Sequence, residues 1–215
     1  MKIRLTAVAV TLALAAAVQA ADEVPQAGAF SDAEIVGALQ AADQSEMEAG
    51  DMAIEKASRA DVKSYGNRMK KEHASHLERV NRIASEQGIT GAESEFSGGL
   101  RRHATEMNGA LRPLSGADFD RAYIDAMVAD HQALLDALDE RLIPSAKDAK
   151  LRAELRRTRS TVNDHLRDAR RIQSRIAGGR SNIDEGERAV GPQEGRYPEA
   201  GRFRDPSKYE EVTQP

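Results

Sequence analysis

The chain has 215 residues, no cysteine, no tryptophan and a formal net charge of −4. Without cysteine it can have neither a disulfide framework nor a lipid-modified N-terminal cysteine. The acidic balance provides no basic field for phosphate, so nucleic acid is not an expected partner. A composition rich in Ala, Leu, Glu, Arg and Lys, with only 4% aromatic residues, is typical of helical proteins.

Residues 1–20 are predicted to be a cleavable secretory signal. Lys2 and Arg4 precede an apolar run over residues 5–18, and a small-x-small motif stands directly before Ala21. The run is shorter than the roughly 20 residues that a membrane-spanning helix needs. We therefore expect a periplasmic protein with no integral membrane span after cleavage; an uncleaved N-terminal anchor is the alternative.

Apolar residues that recur every three or four positions predict helices throughout residues 31–177. The first helix begins at a capping box formed by Ser31 and Glu34. The second helix follows a short turn near residues 58–61 and ends at Gly88, a residue that often terminates helices. These two helices form a predicted hairpin.

A second hairpin is predicted in the C-terminal half of this region. Its first helix starts at Ser115 and ends at Pro144, and its second starts near Asp148 and ends at residue 178. Residues 91–113 contain Gly, Ser and Asn with only a short amphipathic piece, so we interpret them as a long crossover. The predicted fold class is all-α: an antiparallel four-helix bundle with a long crossover between helices 2 and 3.

Two segments flank the predicted bundle. Residues 21–30 are expected to be an N-terminal linker. Residues 178–215 have no apolar period and are rich in Gly, Pro, Glu and Arg, so they are predicted to be a disordered polar tail. The domain boundaries that follow are 1–20, 21–30, 31–177 and 178–215.

Each predicted helix carries a polar residue at a position where a bundle core normally has an aliphatic side chain. These residues are Glu46, His73, His131 and His165, one on each helix. In an antiparallel hairpin, residues equidistant from the turn lie at the same level. We therefore expect the four side chains to converge at mid-height of the bundle.

One carboxylate and three imidazoles that point inward would suit a divalent transition metal such as Fe, Cu, Mn or Zn. The residues expected to support these ligands from outside are His76, Glu72, Asp130, Asp164 and Tyr123. A ferritin-type di-iron centre is not predicted, because no histidine in this chain has a glutamate three residues before it.

Two other interpretations of the same residues stay open. In one, the cluster is a buried polar network in which each imidazole bonds a carboxylate or hydroxyl and fixes the helix register. In the other, neutral histidines near Glu46 act as acid and base. An enzyme is the less favoured reading, because no Ser-His-Asp arrangement, nucleotide loop or glycosidase-like carboxylate pair is evident. His103, in the crossover, is expected to be solvated.

Six segments between residues 30 and 177 form a specific set: Ser45–Lys56, Val62–Tyr65, Met69–His73, Ser115–Tyr123, Met127–His131 and His165-Leu166. This set resembles the bacterial domain of unknown function 4142 (DUF4142). The resemblance implies a ferritin-like four-helix bundle that is exported in Gram-negative bacteria. The family's recurrent polar positions coincide with Glu46, His73, Asp130, His131 and His165, but the resemblance implies no activity.

The expected function is that of an exported bundle that binds a divalent transition metal in its core and acts in envelope stress or metal handling. The alternative is a non-catalytic structural or interaction protein of the periplasm, with the Glu/His cluster as a polar network only. No motif indicates a particular protein partner.

Overall fold

The computed structural model describes residues 30–181, and these residues are helical, with one isolated β-bridge between Ala57 and Gly116. The elements are α1 (Asp32–Lys56), α2 (Ala60–Gln87), α3 (Glu95–Leu111), α4 (Gly116–Ala137), a π-helical segment (Leu138–Leu142), α5 (Ile143–Ser145) and α6 (Ala149–Ser181). The predicted all-α class is confirmed. The predicted signal over residues 1–20, most of the linker and the tail beyond residue 181 lie outside the described residues.

The first hairpin begins and turns where the sequence predicts. The Ser31 hydroxyl accepts from the Glu34 backbone, and the Glu34 side chain accepts from the Ser31 backbone, which completes the capping box. Gly88 ends α2 with a φ of 66°, a left-handed conformation that glycine adopts without strain. Gln40 of α1 donates to Asn81 of α2, near the end of α2, so the two helices run antiparallel.

The start of α2 is capped by a residue from another helix, which the sequence did not suggest. Asp120 of α4 accepts from the backbone N–H groups of Ser58 and Arg59, at 2.9 and 3.0 Å, and from the Ser58 hydroxyl. Arg59, the N-cap residue itself, provides no side-chain cap. Asp120 therefore satisfies donors that α2 cannot satisfy, and it ties the two hairpins together.

The last residue of the predicted linker packs against the helices. Phe30 is buried, and its ring lies 5.3 Å from that of Phe96. The Arg141 guanidinium lies over both rings, at 4.8 and 5.2 Å from their centroids. A large aromatic ring placed directly before the first helix gains more by packing against the core than by remaining in solvent.

The crossover differs from its prediction, because residues 95–111 form the 17-residue helix α3. Ser94 and Ser97 form its capping box, and Phe96, Ala104 and Leu111 are buried on one face. The helix packs against α1. Glycine and serine lower the intrinsic helix propensity of this segment, so its helicity depends on tertiary contact that a local pattern does not show.

The second hairpin is antiparallel as well, since Asp139 near the end of α4 pairs with Arg159 while Asp125 accepts from Gln173. The helical backbone does not end at Pro144. It continues from α4 through the π-helical segment and α5 to Ser145. Proline cannot donate to the helical ladder, and the widened π turn directly before it accommodates that missing bond.

Helix α6 begins where the sequence predicts but ends later than predicted. Asp148 accepts from the Leu151 backbone at 2.8 Å, as a capping residue does. The helix then passes through Gly178 and Gly179 and continues to Ser181. Glycine weakens a helix by about 1 kcal/mol relative to alanine but adopts helical angles, so a glycine pair need not end it.

The core consists of two apolar clusters with a polar layer between them. The first contains Ile35, Leu39, Val80, Leu135 and Leu155, and the second contains Ala53, Val62, Met69, Phe119 and Met127. Along α1, α2 and α4, the polar residues of the predicted site fall between members of the two clusters. Within residues 30–181, no helix combines the length and the apolar character needed to cross a bilayer.

Candidate metal centre

Three histidines meet in the polar layer. His73 of α2, His131 of α4 and His165 of α6 each offer a ring nitrogen that lies within 4.8 Å of one from each of the others. Their ring centroids are 5.3 to 6.3 Å apart. All three side chains are buried, so the cluster is separated from bulk water by the helices that carry it.

The outward nitrogen of each ring contacts a group that can only accept a hydrogen bond. His73 Nδ1 lies 2.8 Å from Asp43 Oδ1, and His131 Nδ1 lies 2.8 Å from the Met127 carbonyl oxygen. His165 Nε2 lies 2.7 Å from Glu72 Oε2. Each outward nitrogen must therefore carry the hydrogen, which assigns the tautomer of all three rings.

The inward nitrogens are then left with lone pairs. His131 Nε2 and His165 Nδ1 face each other at 3.3 Å, and His73 Nε2 is enclosed with no hydrogen-bond partner among the described residues. Exchanging the tautomer of His131 or His165 would instead place a lone pair against a carbonyl or a carboxylate. Lone pairs that face one another repel, and a metal ion or a proton between the rings would remove this repulsion.

The pKa values of two of these rings favour the neutral form that binds metal. Burial lowers the pKa of His131 well below its usual value, and the neighbouring histidines lower it further. Burial also lowers the pKa of His165 to about 4, although the hydrogen bond that His165 donates to Glu72 opposes this shift. For His73, burial is outweighed by the hydrogen bond to Asp43 and by the charge of Glu46, so its pKa is raised. A proton on the cluster therefore resides on His73.

Asp43 is a residue of this site that the sequence analysis missed. Its side chain is 2% exposed, and it accepts from Nδ1 of both His73 and His76. Burial alone would raise its pKa, but these two hydrogen bonds keep the pKa below its usual value. A signal was present, since Asp43 stands three residues before the predicted inward residue Glu46 and so lies near the same face of the helix.

Glu46 lies beside the three histidines but is not one of the converging group. The residue is half-buried, yet its Oε2 atom is enclosed and has no hydrogen-bond partner in the described part of the chain. Burial raises its pKa to about 7, although the charge of His73 opposes this shift. The hydroxyl of Tyr123, another predicted site residue, is likewise enclosed and has no partner within residues 30–181. Each buried polar atom without a hydrogen-bond partner lowers the free energy of unfolding by about 1–3 kcal/mol, and a bound ligand that contacts the atom would restore this stability.

The comparison with known protein families agrees with the motifs that surround this centre. A family model described as a domain of unknown function, DUF4142, matches residues 14–172. The chain belongs to the DUF4142 family. No curated protein and no solved structure matches it. The function of this DUF4142 chain is therefore inferred mainly from the geometry of the centre.

His76 of the DUF4142 chain serves the framework of the centre. Its Nδ1 contacts Asp43, and its Nε2 lies 2.8 Å from the hydroxyl oxygen of Thr158. That hydroxyl also lies 2.9 Å from the Glu154 carbonyl oxygen of its own helix, so it bridges the imidazole and α6. Because both ring nitrogens are engaged in hydrogen bonds, His76 joins α1, α2 and α6 at this height and has no nitrogen free for a metal.

Of the other predicted supporting residues, Glu72 contacts a histidine of the centre, whereas Asp130 and Asp164 do not. Glu72 contacts His165, as expected of an orienting carboxylate. Asp130 instead bonds Nε2 of His103 at 2.8 Å, so His103 is not simply solvated. Asp164 pairs with Arg167 at the surface. Consecutive side chains of a helix point in directions about 100° apart, so an acid directly before a histidine does not face the same side of the helix as that histidine.

Two cavities border the polar layer. One, of about 60 Å³, lies between α1, α3 and α4, and its polar lining includes Glu46, His103 and Asp130. The other, of about 340 Å³, lies between α2 and α6, and its wall includes Glu72, His73 and His165. The second cavity therefore borders two of the three converging histidines.

Proposed function

We propose that this DUF4142 protein binds one divalent transition metal ion through His73, His131 and His165. The observation that carries the proposal is the hydrogen bonding of the three rings: each outward N–H is held by a fixed acceptor, and each inward lone pair points toward the others. Metal-ligating histidines are typically oriented by carboxylates and carbonyls in this way.

The ligand set favours Zn(II) or Cu(II) over Mn(II). Three imidazoles are borderline-soft nitrogen donors, which suit zinc and copper, whereas manganese prefers carboxylate and water oxygens. Glu46 has an enclosed oxygen without a hydrogen-bond partner among the described residues, and loss of its proton beside a bound cation would partly offset the charge of the ion. We place the role in metal handling.

The proposal includes the architecture and the location. α1, α2, α4 and α6 would form the four-helix, ferritin-like bundle, with α3 as an addition in its crossover. The basic start, short apolar run and small-x-small motif of residues 1–20 support export to the periplasm. Fusion of residues 1–30 to a reporter that is active only after export tests the location, and an inactive reporter would contradict it.

Metal retention by the chain without residues 1–20 tests the centre. After loading with Zn(II) or Cu(II) and desalting, wild type should retain one ion per chain, and its melting temperature should rise with metal. His131→Leu should lose both effects, because the ligand is replaced by an apolar side chain of suitable size. His103→Gln is the matched control, since this histidine lies outside the converging group. Equal retention by all three proteins, or by none, would refute the proposal.

A structural network is the second candidate, and the engagement of both nitrogens of His76 supports it. In that case the histidines only fix helix register, and Asp43 is their common acceptor. His73→Gln would then lower the free energy of unfolding equally with and without metal. A metal-dependent difference between this variant and wild type would favour the metal centre instead.

A further inference from the structure

The larger cavity, between α2 and α6, has a lining suited to a small anion. Its wall includes the guanidinium groups of Arg79 and Arg157 and the hydroxyl-bearing residues Ser75 and Thr161. Guanidinium and hydroxyl groups are hydrogen-bond donors, and a guanidinium accepts nothing. A volume of about 340 Å³ has room for a few small molecules rather than a large substrate.

The wall of this cavity holds two arginines and one carboxylate, that of Glu72. Glu154, the buried carboxylate that Arg79 and Arg157 contact at 2.9 and 3.4 Å, does not line the cavity. Glu72 is paired at 2.7 Å with Arg68, which also pairs with Asp168. The wall itself therefore carries more guanidinium than carboxylate groups, and a low-dielectric cleft focuses the field of such groups.

The cavity also borders the proposed centre, because His73 and His165 form part of its wall. Three histidine ligands leave at least one coordination position on a tetrahedral ion for an exogenous group. We infer that this cavity admits a small anion to the open position of the bound metal, with Arg157 attracting it at the cavity wall. This inference rests on the proposed metal centre.

Azide binding to the Co(II)-loaded protein tests the inference, because the visible spectrum of Co(II) reports a change of ligands. The proteins to compare are wild type, Arg157→Gln and Arg156→Gln. Arg156 is the matched control, since it is exposed on the same helix and does not line the cavity. Azide should shift the spectrum of wild type, Arg157→Gln should weaken azide binding about tenfold, and Arg156→Gln should leave it within about twofold.

Each contrary result has a distinct meaning. If Co(II) is retained but azide leaves the spectrum unchanged, the metal has no open position facing the cavity and the inference is wrong, while the metal centre stands. Equal weakening by the two arginine variants would also overturn it, because the effect would then belong to the overall charge. If no Co(II) is retained, the proposed centre fails and the anion site fails with it.

Discussion

The carboxylate of Asp43 connects one helix to two histidines of the next. It is almost fully buried, and it stays charged because His73 and His76 both donate to it. The hydrogen bond to His73 sets which nitrogen of that ring points toward His131 and His165. In the proposed metal centre, Asp43 would therefore orient one of the three ligands without binding the metal itself.

Replacing Asp43 should weaken metal binding without removing a ligand. We expect Asp43→Asn to lower the affinity for Zn(II) about 10- to 100-fold, because an amide can present N–H to a ring that needs an acceptor. Competition with a chromophoric chelator measures the affinity. Asp51→Asn is the control on the same helix, since Asp51 forms only an exposed ion pair with Lys70. Equal affinities of the two variants would exclude an orienting role for Asp43.

Glu46 should destabilise the metal-free protein at neutral and higher pH. Its pKa is raised by burial from 4.5 to about 7, so the folded state holds a proton that the unfolded state releases between these values. The stability from this proton is complete below pH 4.5 and is lost as the pH rises through about 7. We expect Glu46→Gln to raise the free energy of unfolding by about 2 kcal/mol at pH 8 and by almost nothing at pH 4.5.

Urea unfolding in the presence of a chelator measures this difference at the two pH values. The exposed Glu55 lies on the same helix, so Glu55→Gln is the matched control and should change little at either pH. A gain for Glu46→Gln that is the same at both pH values would show that charge burial is not its cause.

At the scale of the elements, α1 and α2 approach each other closely at two glycines. A Cβ atom built on Gly66 would lie 2.5 Å from the Ala53 Cβ and 3.1 Å from the Gly50 carbonyl oxygen. A Cβ atom on Gly50 would lie 2.7 Å from the Gly66 carbonyl oxygen. The same pair of helices carries Asp43 and His73, so this close contact helps to hold the acceptor within hydrogen-bond distance of the ring.

Enlarging Gly66 should push the two helices apart. We expect Gly66→Ala to lower the free energy of unfolding by about 1–3 kcal/mol, as overpacking usually does, and to weaken metal binding as well. Gly109→Ala in α3 is the control, because nothing lies within 4 Å of its added Cβ and alanine is the better helix former. Thermal and urea unfolding compare the two. A stabilised Gly66→Ala protein would contradict the close packing.

At the scale of the whole molecule, two apolar clusters enclose a layer that contains ionisable groups. The clusters exclude water from the layer, and this exclusion is the common cause of the low pKa values of His131 and His165 and of the high pKa of Glu46. The core therefore stabilises the fold and also sets the protonation of the proposed ligands.

Acid should destabilise the metal-free protein between pH 6.5 and about 5. His131 and His165 stay neutral in the folded state and bind protons when unfolded, so the stability from their neutral forms is present above pH 6.5 and lost as the pH falls. Glu46 opposes this by taking up a proton in the folded state. We expect a net loss of about 1 kcal/mol per pH unit in wild type and about twice that in Glu46→Gln. Urea unfolding across this range measures both slopes, and a flat wild-type profile would refute the assignment of neutral rings.

Local signals in the sequence were sufficient to predict where several of the helices begin and end. The capping box at Ser31, the stop at Gly88 and the cap at Asp148 depend on neighbouring residues only, so their positions could be predicted. Helix α3 could not be predicted in this way, because its glycines oppose helix formation and its helicity depends on contact with α1. Asp120 could not be identified as a cap, since its partners lie 61 and 62 residues away.

The sequence by itself determined the all-α class and which helices carry the inward histidines, because both follow from the helical period. Tertiary structure decided how those histidines are used. Only the packing of the helices shows that Asp43 orients His73, that His76 has no free nitrogen, and that Asp130 and Asp164 face elsewhere. The reason is geometric: hydrogen bonds require contact within about 3 Å, and no local pattern fixes the rotation of one helix against another to that precision.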